Sequence, residues 1–172
     1  AYFMTLQYLL AGSDENIANL VRFLVSRYAG GDRLVLKRTV KPVDPVVYPE
    51  VGLFDPALSH GVTDDLDAYR QITGFKANAG TVGVLIMRSY VLAKNTAHYE
   101  GVLHAWRARG LNVVMAFASG LDARPAIEKY FMANGLATVD HVLSLTGFSL
   151  VGGPAYNDAS AAEEALSVLD VP

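Results

Sequence analysis

The chain has 172 residues, 52% of them hydrophobic and 18% charged, with a formal charge of −3 and no cysteine. That length suits one domain, or one domain with an appendage, while the apolar composition leans beyond what a free-standing domain needs. The charge balance, without any Lys/Arg cluster, argues against nucleic acid or anionic lipid as a partner, and the missing thiols exclude disulfides, thiolate nucleophiles and cysteine zinc sites.

No apolar run approaches the roughly 20 residues of a membrane helix, because Arg88, Asn112 and Ser144 interrupt the longest stretches. The opening Ala1-Tyr2-Phe3-Met4 lacks the basic and apolar regions of a signal peptide. A cytoplasmic location is expected.

From Tyr2 to Tyr28 the apolar residues fall at helical spacing, broken at Gly12-Ser13-Asp14. The spacing predicts a helical hairpin or a bent helix, with Ser13 or Asp14 capping a second helix that carries Ile17, Leu20, Val21, Leu24 and Val25. Between Gly30 and Gly80 the period is lost, and Pro42, Pro45, Pro49 and Pro56 keep the chain extended or turning. This stretch reads as an irregular connector with one short helix near Asp64–Thr73, packing on neighbours in a longer protein.

From Thr81 onward the chain alternates. Strands are expected at Val82–Arg88, Asn112–Ala118 and His141–Leu145, and helices at Thr96–Arg109, Arg124–Asn134 and Ala159–Leu169. The run Val82-Gly83-Val84-Leu85-Ile86-Met87 is apolar on both faces, as parallel strands covered by helices require. The fold class is therefore α/β: a parallel, doubly wound, flavodoxin-like sheet of three or more strands in the order 2-1-3. Two domains follow, residues 1–79 as helical segment plus connector and residues 80–172 as a truncated α/β domain. After the last helix Asp170-Val171-Pro172 stands where a fourth strand is due, so the chain reads as a piece of a longer protein with an open sheet edge.

In open parallel sheets ligands bind beyond the carboxyl ends of the strands. The residues there are Arg88-Ser89-Tyr90, Ser119-Gly120-Leu121-Asp122, and the loop from Thr146 to Pro154 with Gly147, Phe148, Gly152 and Gly153. Glycines around an apolar Phe148 suit close approach to a flat apolar body; the other reading is a tight turn packed on its own sheet. The first strand-to-helix loop, Arg88 to Thr96, carries neither phosphate-binding glycine fingerprint.

His98, in the first turn of its helix, is the candidate catalytic group, as a metal ligand or as a base at neutral pH; its other reading is a solvated surface residue. His104 and Trp106 read as packing, His141 as the start of a strand and His60 as a loop residue, and the four histidines show no zinc spacing. Asp64, Asp65 and Asp67 read as a helix start, and Glu163 and Glu164 as a solvated face.

Thr81 to Tyr90, Thr96-Ala97-His98-Tyr99, Ala116 to Asp122 and, most clearly, Val142 to Ala155 resemble in order the large-subunit family shared by magnesium and cobalt chelatases. Tyr48 to Pro56 and the helical start extend the resemblance over nearly the whole chain. Arg88-Ser89-Tyr90, His98-Tyr99 and Tyr156-Asn157-Asp158 look most like the bacteriochlorophyll type, with the cobalt enzyme of the cobalamin pathway as the alternative.

The resemblance implies a fragment of a porphyrin-binding subunit that inserts Mg²⁺ into protoporphyrin IX. ATP would be hydrolysed on AAA+ and companion subunits and not on this chain, in the cytoplasm or at the periphery of photosynthetic membranes. Under it Arg88, Ser89, Tyr99, Thr146, Gly147, Phe148, Gly152 and Gly153 are candidate porphyrin-facing residues, and no metal ligand is assigned. A non-catalytic scaffold is the competing reading for this segment.

Overall fold

The computed structural model describes residues 1–153 and 155–172; Pro154, the end of the glycine-rich loop singled out above, lies outside the described residues. The chain divides into two units, Ala1–Tyr48 with Leu92–Lys94, and Pro49–Val91 with Asn95–Pro172.

In the first unit α1 (Tyr2–Ala11) and α2 (Asp14–Tyr28) form the expected hairpin. Ser13 is the cap, its side chain accepting from the Asn16 backbone N–H at 3.2 Å, which satisfies one donor that the helix start leaves open. Tyr8, Leu20 and Phe23 make a small core with Met4 against it. A short 3-10 turn, Gly31–Arg33, leads to α3 (Leu34–Thr39), a helix the proline-marked stretch does not announce.

The extended segment after α3 is held by two side chains. Tyr8 donates to the Val43 carbonyl. Buried Asn16 donates to the Val46 carbonyl and accepts from the Val46 N–H, both at 2.8 Å.

The second unit begins inside what the sequence reads as connector. Strand β1 (Val51–Phe54) pairs antiparallel with β2 (Val62–Thr63), and α4 (Leu66–Thr73) follows. Asp65 caps α4 by accepting from Asp67 and Ala68, in keeping with a helix start.

The remainder runs β3 (Thr81–Leu85), α5 (Arg88–Leu92), α6 (Ala97–Arg107), β4 (Asn112–Ala118), α7 (Arg124–Tyr130), β5 (Met132–Ala133), β6 (Leu136–Ala137), β7 (His141–Ser144), β8 (Gly152–Gly153), β9 (Tyr156–Asn157) and α8 (Ala159–Leu169). Among the described residues the main sheet has the order β2-β1-β4-β3-β7. Strands β4, β3 and β7 are parallel, in the expected 2-1-3 arrangement. Strand β1 adds antiparallel to β4, Leu53 opposite Ala116.

The mostly parallel α/β layer thus stands as expected, with differences at its edges. The connector supplies an antiparallel margin of two strands, β1 and β2. Strand β3 ends at Leu85 and Arg88 opens α5, because the backbone turns at Met87, whose carbonyl accepts from Tyr90 and Val91. Helix α7 stops at Tyr130, and the β5–β6 hairpin occupies the end of the helix expected there.

Both faces of the sheet are covered. Val82, Val84, Ile86, Val113, Met115 and Phe117 pack under Val91 of α5 and Tyr99 and Leu103 of α6. Leu53, Leu85, Val114 and Ala116 pack on the opposite side against Ala126, Ile127 and Tyr130 of α7, with Phe131, Tyr69 and Leu169. Alternate residues of one strand feeding two cores is the reason the strands read as unbroken apolar runs. Gly83 is required here: a Cβ would stand 2.9 Å from the Phe131 ring.

One charge is buried and paired with a partly exposed partner. Asp55, fully buried after β1, receives a hydrogen bond from Arg107 at the end of α6 and from the Ala57 N–H at 2.9 Å. Nearby, Tyr69 donates to the Val113 carbonyl at 2.8 Å. Burial and then the Asp55 charge push its phenol far above the ordinary range.

Candidate functional site

Strands β3, β4 and β7 all end on the same side, and α6 and α7 leave the central strand order to opposite faces, so a switch point forms there. A crevice occupies it, lined by Leu85–Met87, Ala116–Ala118, Gly120–Ala123, Thr146 and Phe148–Leu150. It encloses about 30 Å³, room for about one water molecule.

The loops that close it are tied to each other. Ala123 N–H donates to the Leu150 carbonyl at 3.0 Å, Gly152 N–H to the Leu121 carbonyl at 2.9 Å, and Asp158 N–H to the Val151 carbonyl at 3.0 Å.

The glycines answer to these ties. Gly152 has a φ of 110°, where a Cβ would collide with the Tyr156 carbonyl across the β8–β9 hairpin, and a Cβ on Gly153 would collide with Leu121. At Gly152 the need for glycine comes from the backbone of the facing strand, whereas a Cβ on Gly153 would meet only the exposed Leu121 side chain; Gly147, at φ 74°, has open space around it. Thr146 builds a local turn, its Oγ1 accepting from the Phe148 N–H at 3.3 Å and lying 3.0 Å from Ser144 Oγ. Thr146 and Phe148 are the candidates that line the crevice, Phe148 at 40% exposure.

The other candidates lie elsewhere. Arg88 is half-buried, its Nε donating to the Pro49 carbonyl at 2.8 Å, and Ser89 is exposed. Tyr99 is buried, its hydroxyl accepting from the Met87 N–H at 3.2 Å, so it braces the end of β3 from beneath.

His98 is exposed and lies against two aromatic rings, tilted to Tyr99 with centroids 3.9 Å apart and edge-on to Tyr90 at 5.4 Å; it does not line the crevice. Thr96 stands at the N-cap position of α6 without a side-chain capping bond, its hydroxyl donating instead to the Glu100 carboxylate at 2.6 Å. Trp106 packs on the core as expected, whereas His104 is exposed, since it falls on the outer face of α6. Among the described residues no group of three or more His, Asp or Glu is placed to hold a metal ion.

Asp122, named above among the residues beyond the strand ends, lines the crevice and forms an ion pair with Arg124 that the sequence does not announce. Arg124 grips Asp122 with Nε at 3.0 and 3.1 Å and Nη2 at 2.6 Å, and the Arg124 N–H adds a bond at 3.0 Å. The Arg124 hydrogen bonds hold the Asp122 carboxyl below its ordinary value. Its only sequence signal is Asp-x-Arg-Pro at a helix start, which reads equally well as ordinary capping.

An open, mostly parallel α/β sheet with loops meeting at its switch point is a class that serves many chemistries. Here the sequence narrows it: the model of the CobN/Magnesium Chelatase family matches residues 6–172, and the chain belongs to that family. It is 49% identical to the magnesium-chelatase H subunit of Cereibacter sphaeroides over 172 residues, covering all of this chain and 14% of that protein. It is 48% identical to the H subunit of the Rhodobacter capsulatus magnesium chelatase and 34% identical to the chloroplastic ChlH subunit of Oryza sativa subsp. indica, covering 14% and 13% of their lengths. The chain therefore spans about one seventh of these relatives.

Among solved structures, the catalytic subunit of cobaltochelatase from Mycobacterium tuberculosis matches with a TM-score of 0.53. The identity is 19%, covering 83% of this chain and 10% of that one. That likeness shows the fold.

Proposed function

We propose that this chain is a segment of the porphyrin-binding subunit of a magnesium chelatase, which inserts Mg²⁺ into protoporphyrin IX in (bacterio)chlorophyll biosynthesis, in the cytoplasm or peripherally at photosynthetic membranes. The observation that carries the reading is 49% identity to a magnesium-chelatase H subunit across the whole chain. Magnesium is favoured over cobalt because the relatives at 34–49% identity bear the magnesium name, while the cobaltochelatase likeness is one of fold.

Insertion must strip water from a strongly hydrated cation and remove two pyrrole protons. ATP would drive it from AAA+ and companion subunits; the loop after β3 has no phosphate-binding glycines to take that role.

Within that subunit the segment acts as scaffold. A site that engulfs a drug-sized ligand takes roughly 300–1,000 Å³, an order of magnitude above the 30 Å³ at the switch point. Thr146 and Phe148 would form at most an outer rim of a porphyrin cavity. Tyr99 and Gly152 are held by internal contacts, and Arg88 is anchored by its Nε on the Pro49 carbonyl. Exposed His98 stands apart from the crevice.

The test is a quenching titration of Trp106 and tyrosine fluorescence with a soluble protoporphyrin analogue, on this chain and on a subunit of the relatives' length. Binding by the long subunit alone, insensitive to His98→Ala, is the expected result. Saturable binding by the 172-residue chain, weakened by that substitution, would overturn the scaffold assignment. Product formation with Co²⁺ and not Mg²⁺ by the assembled enzyme would overturn the metal.

A further inference from the structure

Helix α2 carries two apolar faces, and the first unit uses one. Leu20 and Phe23 point into its core beside buried Asn16. A second line, Ile17, Val21, Leu24 and Tyr28, recurs at intervals of four, three and four residues and is exposed at 43, 55, 37 and 66%. That spacing is the a/d pattern by which one helix receives another.

The positions beside the seam sharpen this. A solvent-facing helical pair flanks its seam with charges, but here Ala18 and Val25 stand next to it and are half-buried. Such a helix is suited to burial inside a larger body.

We infer that the Ile17–Val21–Leu24–Tyr28 seam of α2 is the seat of an amphipathic helix from the same subunit, contributed by polypeptide outside residues 1–172. This rests on the family assignment, since the relatives are about seven times longer than this chain. A second copy is a poorer occupant: the seam is about 17 Å long at 1.5 Å per residue. Two such stripes of four side chains fall far short of the ~1,200 Å² that a stable interface buries. Within one polypeptide a contact of that size suffices, because the occupant arrives at high effective concentration.

The absence of cysteine from this chain makes the seam directly readable. Val21→Cys and Leu24→Cys, each checked for native circular dichroism, would be labelled with a maleimide in the 172-residue chain and in a subunit of the relatives' length, with the rate read by peptide mass spectrometry. The inference expects fast labelling at both positions in the short chain and labelling slower by about tenfold or more in the long one. Equal, fast labelling in both overturns it. So does protection in the short chain, whether constant or rising with concentration as a dimer forms, and so does protection of the long subunit that appears only when companion subunits are added. Because the readout needs neither porphyrin nor metal, its failure is distinguishable from failure of the proposed function.

Discussion

Asp122 shows what a single side chain does at the mouth of the crevice. Its carboxylate accepts three bonds from the Arg124 side chain and one from the Arg124 N–H, and it is held below the ordinary 3.8 of an aspartate. A depressed folded value contributes stability that is whole above the unfolded value and disappears as the pH falls through the folded one. Asp122→Asn should therefore lower the urea midpoint at neutral pH, and the gap to the native chain should close below pH 3.8. Urea melts of the two proteins across the acid range would check this; a gap that persists at the lowest pH would mean the pair has no electrostatic role. The pair is partly exposed, side chains at 40% and 39%, so the effect is modest.

At the scale of elements, side chains that hold irregular backbone matter as much as regular ladders. Asn16 clasps Val46 through both ends of its amide while fully buried. Asn16→Ala removes two good bonds and leaves the Val46 groups without them, a loss of ~2–4 kcal/mol. Faster amide exchange at Val46, with β3 and β4 amides unchanged, is the expected signature, since the two lie in separate units.

This clasp also marks where sequence reading stops. Strands β3 and β4 are legible because Val82–Met87 and Asn112–Ala118 are apolar at consecutive positions, and α8 because its period and its Asp158 cap are local. Strand β1 is not: four residues between Pro49 and Pro56 carry no period, and their pairing is set by β4, far along the chain. The same holds for the site. The alternation of strands and helices is enough to point to the loops beyond the strands, where the switch point lies. The demand for glycine at Gly152 comes from Tyr156, a contact that no spacing rule contains. His98 has the right chemistry and lies on α6 away from the crevice.

Across the whole molecule, buried phenols tie the second unit together. Tyr69 bonds the Val113 carbonyl, Tyr99 accepts from Met87, and Tyr130 donates to the Val51 carbonyl at 3.0 Å. Burial raises all three phenols above the ordinary 10.0. A raised folded value means that their contribution is whole below pH 10 and is lost as the pH climbs through the folded values. Tyrosinate absorbance is thus expected to include these three of the nine tyrosines only as the fold opens, with circular dichroism lost in the same alkaline step. Their ionisation before any loss of structure would contradict the burial described here.

The pairing of β1 with β4 has a kinetic side. Val51 meets Ala118 from the far side of the α4, β3, α5 and α6 segments, whereas β3 and β4 are joined through α5 and α6 only, and closing the longer loop costs more chain entropy before any contact repays it. The β3–α6–β4 layer should therefore assemble first and β1 dock after the rate-limiting barrier. Leu53→Ala, in the core on that late strand, would destabilise by ~2–5 kcal/mol and should express nearly all of that loss as faster unfolding, with the folding arm of the chevron almost unmoved.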